Sequence, residues 1–95
     1  MRITITAPEK YELFQNYPNP FNPSTTLSFV ISQLSFISLK IYNVLGQEVA
    51  TLIEGEKAPG YYEIEWNADN MPTGVYVYKI MAGNFTDVKR MILIR

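Results

Sequence analysis

The sequence contains no cysteine and no histidine among its 95 residues. Disulfide bonds, thiolate nucleophiles, zinc sites built on Cys and His, and Ser–His–Asp catalysis are therefore excluded. The absence of cysteine is compatible with an exported protein but does not by itself indicate one. We accordingly expect no enzymatic activity, no cofactor and no catalytic or metal site.

Long apolar runs and a strong net charge are also missing. The longest uninterrupted apolar stretches are only about four residues, as at 91–94, which is too short for a transmembrane helix. The first six residues alternate polar and apolar types and lack the apolar core of a signal peptide. A chain with neither segment is cytoplasmic or a piece of something longer. The net charge of −1 creates no long-range field to attract nucleic acid or an anionic membrane.

Short alternating segments rich in Val, Ile, Thr and aromatic residues dominate what is present. Apolar side chains alternate with polar ones, turn residues recur about every 10–12 positions, and no amphipathic helix is indicated. We therefore predict an all-β fold, an antiparallel immunoglobulin-like β-sandwich of about seven strands. The predicted strands cover residues 3–6, 25–31, 36–44, 48–53, 62–66, 75–81 and 85–95.

The length predicts one domain. Residues 12–95 form the predicted sandwich, and residues 1–11 are a lead-in segment, the end of a linker or an extra strand. Proline residues at 18, 20 and 23 remove backbone donors and restrict their neighbours, so 16–24 is predicted to be a stiff, extended loop. Glycines and a proline predict turns at 43–47, at 55 with 59–60, and at 83–84.

Three segments, in order and at suitable spacing, resemble one known family. The segment YPNPFNPST at 17–25 is similar to the opening motif of that family, and IYNVLGQEV at 41–49 and GVYVYKI at 74–80 follow. The chain then ends in a basic and apolar tail, KRMILIR, at 89–95. From about residue 12 onward, the chain thus resembles the C-terminal sorting domain of proteins exported by the type IX secretion system of Bacteroidota and related bacteria. Arg90 and Arg95 stand where lysine is frequent in the family.

The resemblance implies a seven-stranded sandwich that is recognised by an outer-membrane translocon. Its implied partners are an N-terminal passenger protein in cis, the translocon and a sortase-like peptidase that commonly removes the domain. The passenger would reach the medium or the surface of a Gram-negative cell by way of the periplasm, and some passengers are attached to surface lipopolysaccharide. Similar sandwiches occur in flagellar hook-capping proteins, so the fold alone does not decide the role.

Two segments are candidates for recognition, the C-terminal tail and the proline-rich loop. In the tail, basic side chains would pair with acidic groups and the apolar run would supply contacts; the alternative is a last strand whose basic residues protect an edge. The loop is a stiff recognition element, or it sets the entry angle into the first strand while Tyr17 and Phe21 fill the end of the core. The tail residues are Lys89, Arg90, Met91, Ile92, Leu93, Ile94 and Arg95, and the loop residues are Tyr17, Pro18, Asn19, Pro20, Phe21, Asn22 and Pro23. The sequence leaves open whether the tail is paired or free.

Other candidates are weaker. Glu63 and Glu65 lie about 7 Å apart on one face of a strand, which could mimic a glycosidase pair but is more typical of a solvated face. Asn67, Asp69 and Asn70 offer oxygen ligands to calcium, although such loops are usually plain turns.

A rival function rests on outward aromatic residues. Tyr42, together with Tyr61, could form a platform on which a sugar stacks. The chain would then be a carbohydrate-binding module, or a structural spacer, of a secreted multidomain enzyme.

Overall fold

The computed structural model describes residues 9–95, which form seven β-strands. The predicted strand at 3–6 lies outside the described residues. The strands are β1 (Glu12–Leu13), β2 (Ser24–Ile31), β3 (Ser35–Tyr42), β4 (Glu48–Lys57), β5 (Gly60–Asn67), β6 (Gly74–Ala82) and β7 (Phe85–Leu93). In residues 9–95, no helix has the length and apolar character that crossing a bilayer requires.

The strands form two antiparallel sheets. One sheet has the order β1-β2-β5 and the other the order β4-β3-β6-β7. Placing strands 1, 2 and 5 opposite strands 3, 6 and 7 is typical of immunoglobulin-like sandwiches. The predicted all-β sandwich of about seven strands is therefore confirmed.

The core lies between the sheets and follows the alternation of the sequence. In β2 and β3 every second residue is buried, because successive side chains of a strand point to opposite faces. The fully buried residues of these two strands are Leu27, Phe29, Ile31, Ile37, Leu39 and Ile41. In β6 the predicted inward Tyr76, Tyr78 and Ile80 are buried as well.

The strand prediction missed β1 and the second half of β4, and it extended β3 and β7 two residues beyond their ends at Tyr42 and Leu93. β1 was not recognised, because two residues are too few to show alternation. β4 runs to Lys57 and does not end at Ile53. Gly55, predicted as a turn, lies opposite Ile37 in the β3–β4 ladder. This pairing shows that the partner strand, and not local turn preference, decides its conformation.

One end of the sandwich collects the segments that carry the family resemblance. At this end of the sandwich, β3 and β7 finish and β6 begins. The pairings Tyr42↔Val77 and Gly74↔Leu93 show that these strand ends are neighbours. The other sheet has its Ser24↔Asn67 pairing there. The proline-rich loop, the β3–β4 turn, the β5–β6 loop and the tail therefore all lie at this end.

Candidate recognition surface

The tail is part of the sheet and is not free. β7 pairs with β6 along its whole length. Met91 and Leu93 point into the core and are fully buried, so they supply packing and cannot contact a partner of the folded domain. Ile92 and Ile94 are 41% and 50% exposed, and Arg90 lies on the same outer face. The predicted tail thus divides into a core half and a solvent-facing half.

The proline-rich loop covers the other edge of β7. The Phe21 amide donates to the Ile92 carbonyl at 2.9 Å, and the Ile94 amide donates to the Phe21 carbonyl at 3.0 Å. These two bonds form a short parallel bridge between the loop and the strand. The Ile92 amide donates to Asn19 Oδ1 at 2.9 Å. The two candidate segments of the sequence therefore lie side by side, and the loop pairs the backbone of the tail.

The loop does not place both of its aromatic residues in the core. Phe21 is 2% exposed, and its ring centroid lies 5.9 Å from that of Trp66, so its predicted place at the end of the core is confirmed. Tyr17 is 80% exposed, so the same prediction was wrong for this residue. The backbone of Tyr17 pairs with Thr26, which leaves the side chain in solvent. Of the remaining loop residues, Pro18, Asn19, Pro20 and Asn22 are exposed, and Pro23 is half-buried.

A buried polar network fixes the start of the loop. The Asn16 amide donates to the Tyr78 hydroxyl at 2.8 Å, and that hydroxyl donates to the Phe14 carbonyl at 2.7 Å. The Asn16 side-chain amide donates to Thr25 Oγ1 at 2.9 Å and to the Pro18 carbonyl at 3.1 Å. Burial raises the pKa of Tyr78 to about 12. Because each of these groups has its partner inside the protein, the loop leaves β1 in one fixed direction.

The last residue is held by the β5–β6 loop. Nη1 of Arg95 donates to the carbonyls of Ala68 at 3.1 Å and Met71 at 3.0 Å, and it also contacts the Asp69 carbonyl. The Arg95 amide donates to Thr73 Oγ1 at 3.0 Å. The side chain of Arg95 is thus committed to a contact within the domain.

The same loop contains the residues considered for calcium. Asn67 Oδ1 accepts from the Asp69 amide at 2.9 Å, which is a plain Asx turn. The loop carbonyls that could serve as cation ligands face the guanidinium of Arg95 instead. Within residues 9–95 there is no group of three or more Asp, Glu, His or Cys side chains that could hold a metal ion.

The outer sides of β6 and β7 form an apolar and basic surface. We call the outward side chains of Val75, Val88, Arg90, Ile92 and Ile94 the β6–β7 face. Within it, a concavity of about 480 Å³ is bounded by these strands and by two polar residues of the loop region. The residues that line it are Gln15, Asn19, Val75, Val88, Lys89, Arg90 and Ile92.

The charges of this sheet are unevenly placed. Lys79 and Arg90 lie opposite Val88 and Val77 respectively, and the outward positions of β6 and β7 carry no carboxylate. Lys40 is paired with Glu48 at 3.4 Å. A hydrogen bond from the Thr51 hydroxyl and the charge of Lys40 lower the pKa of Glu48. Lys79 and Arg90 are therefore the charged side chains on the outer face of β6 and β7.

The β3–β4 turn presents two large apolar residues that the sequence analysis did not single out. Val44 and Leu45 are 72% and 78% exposed. Asn43 Oδ1 accepts from the amides of Leu45 and Gln47 at 2.9 and 3.0 Å, and Gly46 adopts a φ of 82°. The signal for this feature is two consecutive apolar residues inside a turn defined by Asn and Gly.

The aromatic platform of the rival function does not form. Tyr42 lies on β3 and Tyr61 on β5, which belong to different sheets, and both side chains occupy outward positions. Glu63 and Glu65 are exposed on the outer face of β5, and the Tyr61 hydroxyl donates to Glu63 at 2.9 Å. These carboxylates occupy an open, solvated face.

Comparison with known proteins gives a family match. The family model described as the secretion system C-terminal sorting domain matches residues 15–94. No curated protein matches the chain.

Two solved structures from Porphyromonas gingivalis have a similar fold. PorZ, described as an essential bacterial surface component of the type IX secretion system, aligns with a TM-score of 0.64 and 22% identity over 87% of this chain and 11% of its own. Dimeric latent PorU aligns with a TM-score of 0.68 and 18% identity over 97% of this chain and 10% of its own. At these identities the likeness is one of fold. The chain spans about a tenth of the length of either protein.

Proposed function

The chain belongs to the family of secretion system C-terminal sorting domains, and we propose that the export machinery recognises it through the outward side chains of its last strand. The domain is a sorting signal of type IX secretion. As a sorting signal it is not itself catalytic. It implies a passenger protein in cis and export of that passenger across the outer membrane to the medium or the cell surface.

The proposal rests on one observation: alternate residues of the tail are buried in the core and exposed to solvent. Arg90, Ile92 and Ile94 project from one face because alternate residues of a strand share a face. The backbone groups of these residues point away from β6: those of Ile92 bond to Asn19 and Phe21 of the proline-rich loop, the Ile94 amide bonds to Phe21, and the Arg90 carbonyl accepts from Gln15 Nε2. A partner that binds the folded domain therefore contacts side chains, since no free edge is left at residues 92–94 for adding a strand.

The other predicted tail residues have supporting roles in this proposal. Met91 and Leu93 hold the strand through the core, and Arg95 fastens its end to the β5–β6 loop. Lys89 occupies the opposite side of the strand from Arg90 but lines the same concavity. The proline-rich loop acts as a clamp that fixes the register of β7, while Asn19 lies beside the recognised side chains.

For the individual steps of export, the proposal follows what the family resemblance implies. The binding partner would be an outer-membrane translocon that meets the domain after passage through the periplasm, and a sortase-like peptidase would then release the passenger. Any enzymatic activity of the whole protein would belong to the passenger.

Point substitutions on the outer face test the proposal. Deleting residues 89–95 is a poor test because it also removes core side chains. The whole chain is instead fused to a reporter enzyme in a bacterium that has this pathway, and reporter activity is measured in the medium and in the cells. Arg90→Glu combined with Ile92→Ser is expected to lower export by about 10-fold or more, as for a central contact of an interface.

The matched control lies on the same sheet at the opposite end. Met81 is 48% exposed, so Met81→Ser removes a similar apolar side chain from the same face, and Lys57→Glu reverses a charge on β4. Both controls should leave export unchanged, and thermal unfolding should show that all variants are folded. If the folded Arg90/Ile92 variant is exported as well as the controls, β7 is not the recognised element.

A further inference from the structure

The β3–β4 turn exposes apolar surface that the fold does not use. Val44 and Leu45 are 72% and 78% exposed. Neither residue belongs to the buried core or to the partly buried residues packed against it. Single exposed apolar residues are ordinary, whereas contiguous apolar surface is the feature that marks interaction sites.

Hydrogen bonds hold the backbone of this turn in a fixed conformation. The Asn43 amide donates to the Gln47 carbonyl at 3.0 Å, and the Gly46 amide donates to the Asn43 carbonyl at 3.0 Å. The Asn43 side chain contacts Leu45 and Gln47 as well. A contact that is already rigid loses little conformational entropy when it binds.

The turn is continuous with the surface proposed above. A concavity of about 200 Å³ joins Val44 and Leu45 to the start of β6, including Pro72 and Val75. Val75 also lines the concavity that contains Arg90. One surface therefore runs from the tip of the turn across β6 to the outward side chains of β7.

The composition of this surface favours a protein partner. The two tip residues are aliphatic, and the aromatic residues that anchor proteins at a membrane interface do not occur at the tip. Two aliphatic side chains also give little apolar area for binding a bilayer. Farther along this surface, Lys79 and Arg90 on the outer face of β6 and β7 complement acidic groups and would repel the same face of a second copy.

We propose that Val44 and Leu45 form a second docking element, which inserts into an apolar, acid-rimmed pocket of a protein of the export machinery while β7 binds beside it. This inference rests on the function proposed above. It adds the turn as a contact site and states the chemistry of the surface that receives it.

The test uses the same reporter fusion of the whole chain. Val44→Ser combined with Leu45→Ser is expected to lower export by about 10-fold, which is typical for removing apolar residues at the centre of an interface. Leu34→Ser is the matched control, because Leu34 is 63% exposed in the β2–β3 turn at the opposite end. Leu45→Met keeps the apolar volume and should retain export.

Thermal unfolding separates recognition from folding. The side chains of Val44 and Leu45 lie in solvent, so the double variant should unfold within a few degrees of the unsubstituted domain. A photo-crosslinking residue at position 45 should form a covalent adduct with a protein of the export machinery, and one at position 34 should not. An adduct with lipid or with a second copy of this chain would overturn the proposal, as would flotation with phosphatidylcholine–phosphatidylglycerol vesicles that depends on the two tip residues.

The two proposals fail in different ways. If the turn variant is exported normally while the Arg90/Ile92 variant is not, the turn is not a docking element and the function of β7 stands. If the turn variant fails and the β7 variant is exported, the turn is the contact and the role of β7 is wrong. Normal export of both folded variants overturns both.

Discussion

Replacing Tyr78 with phenylalanine removes one oxygen atom from the centre of the domain. Tyr78 is fully buried. Its hydroxyl donates to the Phe14 carbonyl at 2.7 Å and accepts from the Asn16 amide at 2.8 Å. These two backbone groups hold the proline-rich loop against β6, so the substitution tests whether this contact fixes the loop that covers β7.

The expected loss follows from the groups left without partners. A buried donor or acceptor that loses its hydrogen bond costs about 1–3 kcal/mol, and the Phe ring still fills the space. Two such groups predict a decrease of about 2–6 kcal/mol, from a total stability of roughly 5–14 kcal/mol for a chain of this length. For a domain of this size, the unfolding midpoint should fall by at least about 8 °C.

The dependence on pH gives a second measure of the same contact. Burial raises the pKa of Tyr78 to about 12, against about 10 for tyrosine in an unfolded chain. A raised pKa means that the folded state keeps the proton. The stabilisation is complete below pH 10 and is lost as the pH rises toward 12, by about 1.4 kcal/mol for each pH unit. Tyr78→Phe lacks this loss, so its deficit should shrink over that interval.

Urea unfolding followed by circular dichroism, at several values of pH, measures both effects. Tyr62→Phe is the control, because the Tyr62 hydroxyl bonds to the Ala58 carbonyl at an exposed position where water can replace it. Its cost should be below about 0.5 kcal/mol. The reasoning is refuted if Tyr78→Phe costs no more than Tyr62→Phe, or if its deficit stays constant from pH 9 to pH 11.5.

Three further predictions concern stability at the recognition end. Phe21→Ala should lower the free energy of unfolding in urea by about 3–5 kcal/mol because it leaves a cavity. Tyr17→Ala should change it by less than about 0.5 kcal/mol because the side chain is exposed. Equal losses would contradict the different burial of the two residues. Gly46→Ala should cost about 1–2 kcal/mol in the same assay because its φ of 82° is left-handed, and a cost near zero would contradict this reasoning. Arg95→Ala should speed amide exchange in the β5–β6 loop and cost about 1 kcal/mol; unchanged exchange would show that the arginine does not hold the loop.

The local alternation of side chains was sufficient to predict most of the fold. It predicted the inward faces of β2, β3 and β6, because the period of a strand is two and its apolar face must be buried. It did not predict the second half of β4, where Glu54, Gly55 and Glu56 have weak strand preference and follow the ladder of β3. The pairing order of the strands could not be predicted either. Alternation shows which side of a strand is buried, but it does not show which other strand lies next to it.

The sequence by itself determined that the domain is an all-β sandwich that contains neither cysteine nor histidine, and its motifs indicated the sorting family. Only the tertiary structure decided which tail residues face solvent. Met91 and Ile92 are adjacent in the apolar run, yet one is core and the other surface, because β6 and the proline-rich loop fix the register of β7. Tertiary structure also placed the Val44–Leu45 tip beside the start of β6, since contacts between distant segments depend on how the chain folds back on itself.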